Sequence, residues 1–226
     1  QEALFTHEDN YMINIKLYFA KEKTLEDYGF IFFLLGIFFL PSTMIIGILF
    51  LLPSLLITSL SGNKTFLKDY WNFPFLLFGL LILISVIFQN YYLTNNYDAI
   101  YDTKLSLIGL ANWIPSIWVF WASQPYLNSK SKRRSFSLIL VAGTFPVLIT
   151  GFGQYFFNWN GPFETLYGLI IWYQRPIETP GGLSGLFSSQ NYAASWLNFV
   201  WPFCIALFIE KNNNLFRKTA ALSFLI

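Results

Sequence analysis

The sequence predicts an all-α protein, a polytopic bundle of transmembrane helices, and three observations predict it. Of 226 residues, 55% are apolar and 12% charged, with a mean hydropathy of +0.48, well outside the balance of a soluble domain. The apolar residues collect in runs close to the roughly 20 residues that cross a hydrocarbon core. Lysine and arginine gather in short clusters between those runs, as they do in cytoplasmic loops.

The elements follow in order. Residues 1–27 are mixed polar and charged and read as a cytoplasmic N-terminal segment, with an amphipathic interfacial helix around Met12–Phe19 as the alternative. The run from Tyr28 to Leu60 is too long for one ordinary span and carries Pro41-Ser42 near its centre. Proline removes a helical hydrogen bond and restricts the residue before it, so two short helices, Tyr28–Leu40 and Thr43–Leu60, joined by a tight turn are expected. Further spans are expected over Phe73–Tyr92, Leu105–Ser123, Phe136–Phe156 and Tyr192–Ile209, with a seventh beginning near Lys218. Residues 28–226 thus read as one transmembrane domain of six spans and the start of a seventh, with an external loop at 158–191. The chain opens without a methionine and stops inside the apolar string "TAALSFLI", so it is expected to be a fragment truncated at both ends.

Charge tests this count. The densest cluster, "KSKRR" at Lys130–Arg134, marks the loop before the fifth span as cytoplasmic. Stepping one span at a time puts Lys64 and Lys68, the Lys21/Lys23 flank, and Lys211, Arg217 and Lys218 on the same side. The N-terminus is then cytoplasmic, and the 91–104 and 158–191 segments are external. A single long helix over 28–60 would break this agreement, which supports the hairpin.

Composition also excludes classes. A net charge of +2 with dispersed basic clusters leaves no nucleic-acid-binding surface. One cysteine, Cys204, excludes an intrachain disulfide, and one histidine, His7, excludes a histidine-rich metal site. Pro53, Pro74, Pro115, Pro146 and Pro202 read as tolerated kinks, and Trp113, Trp118, Trp121, Trp159, Trp172, Trp196 and Trp201 as interface anchors.

The loop 158–191 is the informative segment. Its "GPFETLYGLIIWYQRPIE" is too apolar for a solvated tether, so part of it is expected along the membrane surface. Trp172 and Tyr173 offer broad faces for that interface or for stacking on a sugar. Arg175 carries a planar fork suited to bidentate phosphate recognition, although a pair with Glu164 or Glu178, or an interface anchor, explains it equally. A run of Gly181, Gly182, Ser184, Gly185, Ser188, Ser189, Gln190 and Asn191 then abuts a helix whose N-terminus faces outward, where N–H groups and the helix dipole attract an anion. The bland alternatives are turn glycines and Asn191 as an N-cap.

The string "GGLSGLFSSQNYAASWLNFVWPF" resembles the "G-x-F-x-N-x-N-x-x-A-x-x-L-x-x-x-x-P" signature of the O-antigen ligase and polymerase superfamily, through Gly185, Phe187, Asn191, Ala194, Leu197 and Pro202. "ANWIPSIWVFWASQPYL" is similar to the ligase-like subgroup, some members of which carry a bicarbonate-transporter label. Ser189-Gln190 stands in place of the usual Asn-Pro, and Gly181/Gly182 lie where many relatives have an arginine, which leaves Arg175 as the candidate for the phosphate-binding arginine. The resemblance implies the N-terminal part of a multi-span glycosyltransferase-like fold in a bacterial inner membrane. It implies transfer of a glycan from a lipid-linked undecaprenyl pyrophosphate donor to a polysaccharide or lipid acceptor, without metal or cofactor. Substrate-binding candidates are Arg175, Asn191, Gln190, Trp172 and Tyr173. The competing class, a transporter of a small anion such as bicarbonate, predicts ionisable residues deep in the spans. None of Asp, Glu, Lys, Arg or His lies well inside them, and Gln154 and Asn112 are the polar exceptions.

Overall fold

A computed structural model of the protein describes residues 24–61, 66, 69–95, 103–177 and 181–210. Several expectations fall outside these residues: His7, Lys21, Lys23 and the 12–19 segment, Lys64 and Lys68, Asp98 and Asp102, Glu178, and the chain from Lys211 through the seventh span. The described chain is mostly helical. Three helices are long and apolar enough to cross a membrane, over Tyr70–Gln89, Lys130–Phe157 and Gln190–Ile209.

The expected hairpin is formed by α1 (Leu25–Phe39) and α2 (Met44–Leu60). Each is short, 15 and 17 residues. α1 starts three residues ahead of the expected Tyr28 because Thr24 and Asp27 form a capping box: the Asp27 N–H donates to Thr24 Oγ1 at 3.3 Å and the Thr24 N–H to Asp27 Oδ2 at 3.0 Å. At the turn, the Phe39 carbonyl accepts from the N–H groups of Ser42 (3.2 Å) and Thr43 (2.7 Å), while Pro41, which has no N–H, sits buried between them. The two helices touch through small residues. A Cβ on Gly47 would sit 2.8 Å from the Leu40 Cα and 3.1 Å from the Gly36 carbonyl oxygen, so only glycine permits this approach. Ser54 Oγ, fully buried, donates to the Gly29 carbonyl of α1 at 2.8 Å.

A 3-10 turn at Tyr70–Asn72, capped by Asp69 through the Trp71 N–H at 3.0 Å, leads into α3 (Phe73–Asn95). α4 (Thr103–Ser123) packs against α3 and α2 and runs on into a second 3-10 turn, Gln124–Leu127. Hydrogen bonds pin this turn: Tyr126 Oη donates to the Ser54 carbonyl at 2.7 Å and Gln124 Nε2 to Asn72 Oδ1 at 2.7 Å. Burial pushes the Tyr126 phenol above its ordinary pKa, partly offset by its bonds to Ser54 and Thr58.

α5 (Lys130–Phe157) begins six residues before the expected Phe136, so the basic cluster assigned to a loop is helix. Ser129 caps it, accepting from the Lys132 N–H at 3.2 Å. Cations at a helix start oppose the helix dipole, and three of the four here find an acceptor. Lys132 Nζ donates to the Pro125 carbonyl (3.2 Å), Arg133 Nη1 to the Leu127 carbonyl (3.0 Å), and Arg134 Nε to both oxygens of Glu210 (2.8 and 3.0 Å). Glu210 follows α6 (Gln190–Ile209), which runs antiparallel to α5. Leu140 and Val141 of α5 meet Val200, Cys204 and Leu207 of α6 in one buried cluster, with Ile37 of α1 against it. Trp196 Nε1 donates to Thr144 Oγ1 at 3.0 Å within the same seam.

Between α5 and α6 the fold departs from all-α. β1 (Phe163–Thr165) and β2 (Ile170–Trp172) form an antiparallel hairpin in the expected external loop, with Phe163 opposite Trp172 and Thr165 opposite Ile170. Phe163, Ile170, Ile171 and Trp172 are β-favouring residues, but three-residue strands are too short to show a period.

Candidate functional site

The site grows from one glutamine near the end of α5. Gln154 is buried and spends its whole amide on the loop that follows: Nε2 donates to the Arg175 carbonyl at 2.6 Å and to Ser184 Oγ at 3.2 Å, while Oε1 accepts from the N–H groups of Ser184 (3.0 Å) and Gly185 (3.1 Å). Four bonds are what a carboxamide can offer. The loop is therefore clipped to α5 at two points nine residues apart, counted from Arg175 to Ser184. Gly185 fits because its backbone is left-handed (φ 54°) and a Cβ would lie 2.9 Å from the Val147 carbonyl oxygen. A second glutamine strengthens the first clip: Gln174 Nε2, in a fully buried side chain, donates to the Thr150 carbonyl at 2.8 Å, and the Gln174 carbonyl accepts from the Gly161 N–H at 2.9 Å.

Between the clips lies a cavity of about 340 Å³. Arg175 and Pro176, then Gly181, Gly182 and Ser184, and Ser189, Gln190 and Asn191 at the start of α6 line it. Gln190 Oε1 accepts from the Gly182 N–H and ties the glycines to the helix. Arg175 is exposed and makes no ion pair with a described carboxylate. The expected pairing with Glu164 is absent among the described residues, and Glu178 lies outside them.

The cap differs from expectation. Ser189, in extended backbone, is the N-cap of α6 and accepts from the Asn191 N–H at 3.2 Å, so Asn191 is not the cap but the second residue of the helix. Both types cap well, and the backbone conformation at 189 decides between them. The carboxamide of Asn191 is consequently left on the cavity wall.

Of the five expected binding residues, the structure brings Arg175, Gln190 and Asn191 together. Trp172 and Tyr173 do not line the cavity. The indole of Trp172 donates to the Ser42 carbonyl at 2.6 Å, which anchors β2 to the turn between α1 and α2, and Tyr173 is exposed. The sequence alone does not single out Gln174, and it marks Gln154 only as a polar residue in a span. Its signal was an uncharged amide in "GFGQYFF", at the end of an apolar helix, where a polar group must find partners.

Chemically the cavity can hold an anion. Its lining includes the cationic Arg175 and the N-terminal residues of a 20-residue helix, whose free N–H groups and dipole favour negative charge. No described lining residue is an acid, a histidine, a lysine or a cysteine. Among the described residues no three His, Cys, Asp or Glu side chains gather as a metal would require.

Three apolar helices of spanning length fit a helical membrane protein, and a polar cavity lies where the segment after one of them meets the start of another. Compared with known proteins, the chain matches no family model, no curated protein and no solved structure.

Proposed function

We propose that the protein serves glycan transfer at the outer face of a bacterial inner membrane, its cavity receiving the pyrophosphate of a lipid-linked glycan donor whose sugar passes to a polysaccharide or lipid acceptor. The observation that carries this reading is that Arg175 and the start of α6 line one cavity. A departing pyrophosphate needs cations and N–H donors where its charge develops. The resemblance of the 181–203 segment to the O-antigen ligase and polymerase superfamily supplies the reaction class, and a cytoplasmic N-terminus puts the cavity outside. The acceptor hydroxyl also needs a base. The described cavity residues offer none, so in this reading they form the donor half of the site.

Donor binding and transfer test it. Arg175→Lys keeps the charge and loses the fork, and Arg175→Ala loses both. A charge-assisted hydrogen bond is worth about 1.5–3 kcal/mol, so Arg175→Ala is expected to lower transfer by roughly tenfold to a hundredfold. Asn191→Asp separates substrate holding from helix structure. An acid in the first turn favours the helix dipole, so thermal stability should hold or rise, while a negative charge on the cavity wall repels the donor. Unchanged transfer in both Arg175→Ala and Asn191→Asp would sink the donor site.

A further inference from the structure

We infer that the tip of the β1–β2 hairpin sits in the lipid–water interface of the bilayer and holds the Arg175 wall of the cavity at headgroup depth. Four observations lead there. The tip is apolar and uncovered: Leu166 and Leu169 are each 60% exposed and Tyr167 wholly so. It is also strained. Leu166 and Tyr167 adopt left-handed backbone at φ 51° and 56°, beside Gly168 at 82°, where glycine or asparagine is the usual choice. Positive φ at Tyr167 and Gly168 belongs to the hairpin turn closed by the Leu169 N–H on the Leu166 carbonyl at 3.2 Å, but the turn itself asks only for small polar residues there, and the bulky side chains of Leu166 and Tyr167 stand uncovered where glycine or asparagine would serve.

The third observation names the occupant. The hairpin follows the last turn of α5, a helix long and apolar enough to span, and that turn ends in an exposed aromatic collar of Tyr155, Phe156 and Phe157, with Trp159 beside it. Aromatic collars at helix ends mark the interface of a bilayer, and the apolar tip extends this collar. Fourth, Trp172 ties β2 to the Ser42 carbonyl in the turn between two apolar helices, which fixes the strand at the level where those helices reverse.

The tip carries no lysine or arginine, so its hold on the membrane is apolar and indifferent to anionic lipid, unlike a polybasic segment. Glu164, opposite Ile171, lies on the strand face away from Ile170 and Trp172. From β2 the chain reaches Arg175 in three residues, through the buried Gln174. A tip seated in the interface therefore sets the height of the guanidinium relative to lipid phosphates.

The test is a depth measurement by spin label on the protein in phosphatidylcholine vesicles, without donor or acceptor. In a Cys204→Ala background, single cysteines replace Tyr167, Phe157 as the lipid reference and Asn160 as the exposed reference in the same loop. The expected result is a label at 167 whose access to oxygen relative to a water-soluble nickel complex matches that at 157 and exceeds that at 160 several-fold, unchanged when phosphatidylglycerol is added. A label at 167 as open to nickel as that at 160 overturns the inference. So does one shielded from both reagents, which would mean that protein, a second copy included, covers the tip. Leu166→Cys repeats the measurement if the 167 label prevents folding. Because no glycan is present, failure here leaves the transfer reading untouched, and failed transfer in the Arg175 variants leaves the depth reading untouched.

Discussion

The α1–α2 hairpin and α3 are both strongly apolar, yet they are used in opposite ways. α1 and α2 are each too short to be an ordinary span, but they make the most extensive helix–helix contact in the described chain, with Gly29, Gly36, Gly47 and Ser54 buried along it. The spanning window over Tyr70–Gln89, which takes in most of α3, has only 6% of its residues buried. Leu77, Leu81, Ile84, Ile87 and Phe88 all remain exposed. In lipid, an apolar side chain gains little by moving from an acyl chain to another helix, so apolarity does not drive helices together. Small residues that let backbones close in, and hydroxyls that bond across, do. α1–α2 has both devices. The described part of α3 shows a glycine in close contact at Gly79, beside Ile117 of α4.

Substitutions can break this contrast, and the largest effect is expected where backbones touch. A side chain at Gly143 of α5 would run into the Phe38 backbone of α1, with the Phe38 Cα at 2.9 Å from its Cβ. Gly143→Val should cost about 3 kcal/mol or abolish folding, read as thermal unfolding in detergent. Gly109→Ala in α4, with nothing within 4 Å of the new Cβ, should stay within about 0.5 kcal/mol. Equal costs at the two glycines would mean that close packing is not what distinguishes the hairpin side of the fold.

Next in size is Gln154→Leu. It leaves the Ser184 N–H, the Gly185 N–H and the Arg175 carbonyl without their partner, and each buried orphan costs about 1–3 kcal/mol. Both a fall in unfolding temperature and loss of the cavity's ligand are expected. An unfolding temperature equal to wild type would show that water replaces the amide and that the clip is dispensable.

A smaller effect belongs to Tyr126→Phe, which removes one bond to the Ser54 carbonyl and should cost about 1 kcal/mol. The pH dependence has a definite sign. Burial raises the phenol above its ordinary value of 10.0, so the folded state favours the protonated form. The stability it contributes is complete below that value and is lost as pH rises through the higher folded-state pKa. Tyr126→Phe should therefore flatten stability measured from pH 9 to 11, and an unchanged slope would assign the alkaline loss to another group. Smallest of all is Leu81→Ala on the exposed face of α3, expected within about 0.5 kcal/mol in detergent. A cost near that of Tyr126→Phe would show that α3 is buried against something beyond the described chain.

Much of this was legible along the chain. Pro41 and Ser42 predict the break in the first apolar run because proline acts on its own turn. The Gly, Ser and amide run before Tyr192 marks the mouth of α6 because such residues are poor in helix interiors and poor in lipid. Even the early starts of α1 and α5 have local signals, in Thr24 with Asp27 and in Ser129, which lie outside the apolar runs. The basic cluster reads as loop by hydropathy, but charge ends only the apolar part of a helix and not the helix itself.

Length, apolar runs, the proline break and the polar mouth of α6 are thus properties that the sequence by itself determines, since each depends on neighbours within a turn or two. Tertiary structure alone decided which glutamine gathers the site, which serine caps α6, and that Trp172 serves the turn at Ser42, 130 residues away, rather than the cavity. The physical reason is that an amide, a hydroxyl or an indole N–H bonds any acceptor brought within about 3 Å. Composition can say that Gln154 needs partners, but only the approach of α5, the 174–175 segment and the 184–185 turn says which ones.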